Sequence, residues 1–141
     1  MKTTRNNYRK DKYFPKVQAA VIEILKEGDF VAPVDVFQKM GYLTREKIED
    51  WRFGRVPYLE RVIGCNLSKT QRILRILKHH AEACRLKPSK TFYKRWGKRG
   101  PKQPLRFSKT GNPYLEELYS THYVASRRIE RRRRAAGAEA D

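Results

Sequence analysis

The chain of 141 residues carries 33 Lys plus Arg against 15 Asp plus Glu, a net charge of +18, and only 39% of it is hydrophobic. That length suits one domain, and the apolar share lies below the roughly 45–50% of ordinary globular domains, so a modest core is expected. No apolar run approaches the ~18 residues of a membrane span, and the basic, polar start lacks the apolar stretch of a secretory signal; the expected compartment is the cytoplasm.

In chain order, residues 1–14 read as a basic flexible arm, with Lys2, Arg5, Arg9, Lys10 and Lys12 among Asn, Thr and Tyr. A first helix is predicted from Pro15, since proline suits a first helical turn. Val17, Ala20, Val21, Ile24 and Leu25 follow the spacing of one helical face, and Gly28 ends it. Residues 33–40 are predicted as a short second helix stopped by Gly41. Thr44 is an N-cap for a third through Ile48 and Trp51, closed by Gly54. Pro57 opens a further helical turn carrying Leu59, Val62 and Ile63.

The longest helix is predicted from Leu67 or Ser68 to about Leu86. Leu67, Thr70, Leu74, Leu77, Ala81 and Cys84 step by three and four, while Lys69, Arg72, Lys78 and Arg85 lie off that stripe. Cys65 and Cys84 would then stand ~30 Å apart along a helix, beyond disulfide reach, and both are expected as buried thiols. A short strand or hairpin is predicted near residues 105–108, then a turn at Lys109–Asn112. Asn112-Pro113 opens a last helix with Tyr114, Leu115, Leu118 and Tyr119. Residues 125–141 read as an Arg-rich flexible tail. The expected architecture is mainly α, a compact bundle of four to five helices over residues 15–124 with basic ends.

The charge is unevenly placed. Residues 17–86 hold twelve bases and nine acids, whereas residues 87–110 hold nine bases and no acid. Such a concentration repels itself unless a polyanion neutralises it, and nucleic acid, DNA or structured RNA, is the polyanion expected. The strip supplies Lys90, Lys94, Arg95, Lys98 and Arg99, then Lys102, Arg106 and Lys109. Phe92, Tyr93, Trp96 and Phe107 are interleaved with them. Cations neutralise phosphates, and exposed rings stack on unpaired bases, although most of these rings are expected to face the core. Phosphate contacts alone carry no base information.

A second candidate is helical. Val36 and Phe37, then Gly41, then Ile48 and Trp51 give a helix-turn-helix outline. From Gly41 to Gly54-Arg55-Val56-Pro57 the chain resembles the winged helix-turn-helix domains of excisionases and mercury-resistance-type regulators, departing from them at Phe37 and Ile48. The resemblance implies a DNA-reading helix, with Arg45, Lys47, Arg52 and Arg55 favouring its docking. Glu46, Glu49 and Asp50 on that helix offset Arg45, Lys47 and Arg52, so the strip is expected to contribute more. The blocks Trp51–Glu60, Asn66–Lys69, Leu105–Gly111 and Tyr119–Val124 resemble small bacterial proteins without an assigned activity, which implies one folded unit and nothing further.

Catalytic patterning is thin. His122, after Ser120 and Thr121, is the one candidate general base; with Arg and Lys nearby it would serve a metal-independent nuclease. His80 and Cys84 supply two potential zinc ligands where a structural site needs four, so no metal and no cofactor is expected. The reading favoured by the residues is a non-catalytic nucleic-acid binder, ahead of the nuclease and of a protein–protein adaptor using the helix 67–86.

Overall fold

The computed structural model describes residues 2–97, 100 and 102–127. Among these, five α-helices make up a little under half of the residues: α1 (Phe14–Glu27), α2 (Pro33–Lys39), α3 (Arg45–Arg52), α4 (Leu67–Ala83) and α5 (Pro113–Ser120). Three strands join them: β1 (Phe30–Val31), β2 (Lys87–Lys90) and β3 (Thr121–Val124). The mainly helical bundle is present, with a small sheet that the sequence reading did not contain.

Side chains cap three helix N-termini, at Thr44 and Asn112 as the sequence predicts and at Asn66. The Thr44 side chain accepts the Lys47 N–H, Asn66 accepts that of Lys69, and Asn112 accepts those of Tyr114 and Leu115. Each thereby satisfies a donor that a helix N-terminus leaves without an internal partner. The helical turn predicted from Pro57 is a single 3-10 turn, Leu59–Arg61, that starts two residues later, after extended Tyr58. The α4 stripe is the centre of the core: Thr70, Ile73, Leu74, Ile76, Leu77 and Ala81 are all buried, together with Val17 and Val21 of α1 and Val36 and Phe37 of α2.

The sheet has the order β1-β3-β2 with both pairings antiparallel, Phe30 facing Val124 and Pro88 facing Tyr123. The strand predicted at 105–108 is not one of its members. That segment is an irregular extended stretch held from both sides. The Leu59 and Glu60 N–H groups donate to the carbonyls of Arg106 and Phe107, and Leu105 N–H donates to the Tyr93 carbonyl. Two carboxylates fix the turn that follows. Glu116 accepts from the backbone of Phe107 and Ser108 and from the Ser108 hydroxyl. Buried Glu60 accepts from Lys109 N–H and the Tyr119 hydroxyl at 2.7 Å each. Hydrogen bonds to a charged acceptor are the stronger kind, which makes this turn a rigid platform for its cations.

The N-terminal segment is docked where an arm was expected. Tyr8 is 3% exposed and packs edge-on against Phe14 with ring centroids 5.5 Å apart. Asp11 pairs with Arg72 of α4, and the Lys69 ammonium lies over the rings of Tyr13 and Tyr42 at 4.7 and 4.6 Å. Part of the basic face of α4 is therefore covered by this segment. At the other end, Arg127 pairs with Asp29 and donates to the carbonyls of Leu25 and Gly28. It closes the C-terminus of α1, where a cation meets both free carbonyls and the negative end of the helix dipole. The rest of the expected tail, 128–141, lies outside the described residues. The cysteines are free; Cys65 is half-buried, but Cys84 is exposed, because it follows the last turn of α4 as its cap.

His80 gives the fold a pH dependence. It is buried, edge-on to Phe14 at 5.2 Å. Burial, then the nearby Arg9, holds its pKa below the ordinary imidazole value. The native state keeps His80 neutral, while the unfolded chain takes the proton at about pH 6.5. Stability is therefore expected to fall as pH drops through about 6.5. Urea unfolding from pH 7.5 to 5.5 should show the midpoint declining, with a shallower decline in His80→Leu. A midpoint that rises toward pH 5.5 contradicts this.

Candidate nucleic-acid interface

The helical candidate and the basic strip meet on one surface. α3 ends at Arg52, and Gly54 leaves it with φ +73°, in the left-handed region that glycine tolerates. A Cβ at Gly54 would lie 2.6 Å from Arg95 Nε, so the absence of a side chain there is what lets Arg95 cross the end of the helix. The Trp96 N–H donates to the Arg52 carbonyl at 2.7 Å. The Arg52 guanidinium lies over the Trp96 ring, 4.4 Å from its centroid, and 5.1 Å from that of Tyr93. Phe53 meets Trp96 edge-on at 5.6 Å. The Nε atoms of Arg52 and Arg95 are buried with no hydrogen-bond partner. Burial lowers the Arg52 pKa, with the facing Tyr93 opposing it. The Arg52 guanidinium nevertheless stays charged at neutral pH.

The rings divide between inside and outside. Phe107 is buried and stacked on Tyr119, and half-buried Tyr93 meets Phe107 edge-on at 5.2 Å. Phe92 and Trp96, expected to face the core, are 72% and 41% exposed. The reason is register: Lys94 bridges Pro104 in antiparallel fashion, and Arg95 N–H donates to the Gln103 carbonyl. In an extended segment alternate residues face opposite sides, so Tyr93 turns inward and its even-numbered neighbours turn out.

The cations predicted for the site differ in their surroundings. Lys90, Lys94, Lys102, Arg106 and Lys109 are exposed and Arg95 is half-buried. None of these six is in an ion pair among the described residues. Arg106 lies over the Tyr58 ring at 5.4 Å and donates to the Lys109 carbonyl. Arg55, by contrast, is paired with Asp50 at 2.9 Å. Lys98 and Arg99 lie outside the described residues. Between α2, α3 and the 93–96 segment runs a groove of about 570 Å³ lined by Asp35, Arg45, Glu49, Arg52, Tyr93 and Trp96. Its mixed charge makes it a poor phosphate cleft. The cation-rich surface lies outside it.

His122 occupies β3, stacked on Phe30 with centroids 5.0 Å apart and 2.9 Å from the Tyr93 hydroxyl through Nε2. Burial raises the Tyr93 pKa far above its ordinary value, so that hydroxyl keeps its proton at neutral pH. Arg106 and Lys109, which a phosphate-cleaving site would draw to His122, are instead organised around Tyr58, Glu60 and each other. His80 Nε2 lies 3.6 Å from Cys84 Sγ, and no group of three or more His, Cys, Asp or Glu suited to a metal ion occurs among the described residues. No helix among them is long and apolar enough to cross a membrane.

Sequence reasoning missed Gly54 as the seat of Arg95, and Glu60 and Glu116 as the holders of the cationic turn. Gly54 was legible only as a helix stop; the two acids carry no local pattern, since their partners lie 49 and 8 residues away in the chain. No family model, curated protein or solved structure matches this chain.

Proposed function

We propose that this chain is a non-catalytic nucleic-acid-binding protein whose contact surface is the Lys/Arg–aromatic strip joined to the end of α3. The observation that carries the reading is the stacking of Arg52 on exposed Trp96 beside Arg95, with six strip cations left without a carboxylate. Unpaired cations concentrated in one segment favour phosphate through counterion release, and a guanidinium stacked on an aromatic ring is held ready with little further loss of freedom. In this reading α3 is the mount for Arg52 and is not a helix laid into a DNA groove. Two of its acids are already paired, Glu49 with Arg45 of the same helix and Asp50 with Arg55 just beyond it, and Glu46 stays exposed on its first turn. A repressor-like reading helix would place these carboxylates against phosphate.

Fluorescence anisotropy with labelled RNA and duplex DNA tests the proposal. At low salt the full chain should bind with a dissociation constant at or below the ~10⁻⁴–10⁻⁶ M of non-specific complexes, without degrading the probe. Absence of binding at low salt removes the proposal and leaves the adaptor reading. Probe cleavage lost in His122→Ala promotes the nuclease.

A further inference from the structure

From Lys90 to Trp96 exposure alternates strictly: Lys90, Phe92, Lys94 and Trp96 are exposed, while Thr91, Tyr93 and Arg95 are half-buried. The outward row reads cation, ring, cation, ring. Lys90 Nζ lies 5.7 Å over the Phe92 ring, as same-side neighbours two residues apart must. The bridge of Lys94 to Pro104 sets exposed Lys102 on the same face. The row continues directly from β2, whose pairing with β3 ends at Lys90 facing Thr121, so its base is a rigid sheet.

Resting on the nucleic-acid reading above, we infer that this row is a ladder for unpaired RNA, with bases stacking on Phe92 and Trp96 and phosphates meeting Lys90, Lys94 and Lys102. Phe92 and Trp96 stand four residues apart, or ~13 Å along an extended segment. A stacked strand advances only ~3.4 Å per nucleotide and keeps both faces of each base covered. The two rings therefore take bases splayed out of a stack, and a duplex offers none. In a cell the bases of DNA are held in duplex, whereas RNA presents them in loops and single strands. Large exposed rings otherwise carry a hydrophobic cost, and here each is flanked by lysine and has no acid in its own segment. Arg52 lies over the Trp96 ring, and both line the groove that also holds Asp35 and Glu49, so Phe92, outside that groove, is the more open of the two rings.

The test uses the full chain with three probes of about twelve nucleotides, a length within known single-strand site sizes: oligouridylate, its deoxyuridine counterpart, and an RNA duplex. Oligouridylate should bind about tenfold or more tighter than the duplex and quench the emission of exposed Trp96, with buried Trp51 unaffected. Stacking is worth ~1–3 kcal/mol per base, so Phe92→Ala should weaken oligouridylate about tenfold and Phe92→Ala with Trp96→Ala about a hundredfold, each lowering duplex affinity by less than oligouridylate affinity. Because Phe92 is largely exposed, its single variant reads the ladder even if loss of Trp96 perturbs the fold. Equal affinity for strand and duplex, untouched by Phe92→Ala, overturns the ladder and leaves nucleic-acid binding standing. Binding to none of the three probes overturns both. A deoxyuridine probe bound tenfold tighter than the RNA overturns the assignment to RNA.

Discussion

Raising monovalent salt from about 50 to about 200 mM is expected to weaken nucleic-acid binding roughly 300-fold on a single strand and roughly 1,000-fold on a duplex. The expectation follows from counting cations. Lys90, Lys94, Arg95, Lys102, Arg106 and Lys109 have no acidic partner among the described residues. If all six displace counterions, log affinity falls against log salt with a slope of about −4 on single strands and about −5 on duplex. Arg55 is left out of the count because Asp50 already neutralises it. A slope shallower than about −2 means that most of the strip never reaches phosphate.

Trp51→Ala should destabilise the fold by ~3–5 kcal/mol, the cost of truncating a large buried aromatic. Trp51 is fully buried, with ring centroids 5.0 Å from Phe107 and 5.4 Å from Tyr93. Its indole N–H donates to the Arg106 carbonyl at 2.8 Å. The substitution therefore opens a cavity and also releases the segment that carries Arg106. Against a typical total of ~5–15 kcal/mol, that is a substantial share. Urea unfolding followed by circular dichroism measures the change, and a loss below about 1 kcal/mol would show that Trp51 is not the pivot between α3 and the strip.

The helices were legible because their ends are written locally. Pro15, Gly28, Thr44 and Asn112 each mark a boundary by chemistry that acts within one turn. The sheet was not legible. β3 follows α5 with no intervening turn residue, and β2 reads Lys-Pro-Ser-Lys, exposed throughout with no apolar alternation. Its proline needs no ladder donor because β2 lies at an edge. Their pairing joins residues more than thirty positions apart, a distance no local pattern encodes. Of the site, the charge was plain from composition. The outward turn of Phe92 and Trp96 was hidden because Thr91, Tyr93 and Arg95 are no more apolar than the residues between them, so alternation alone does not say which side is inside. The meeting of Arg52 with Trp96 depends on tertiary packing across 44 positions and has no local trace.

In the proposed function nucleic acid is held by the strip and the end of α3, with the exposed first turn of α3 as a bystander. The direct measurement is the salt dependence of binding for two charge-matched double variants, Lys94→Ala with Arg95→Ala, and Arg45→Ala with Lys47→Ala. The first pair is expected to flatten the slope by about 1.5 to 2 units and to weaken every probe sequence alike, while the second pair changes it by less than about half a unit. If instead the Arg45 and Lys47 pair carries the larger change, and does so for some sequences more than others, α3 is the reading element and the claim is wrong.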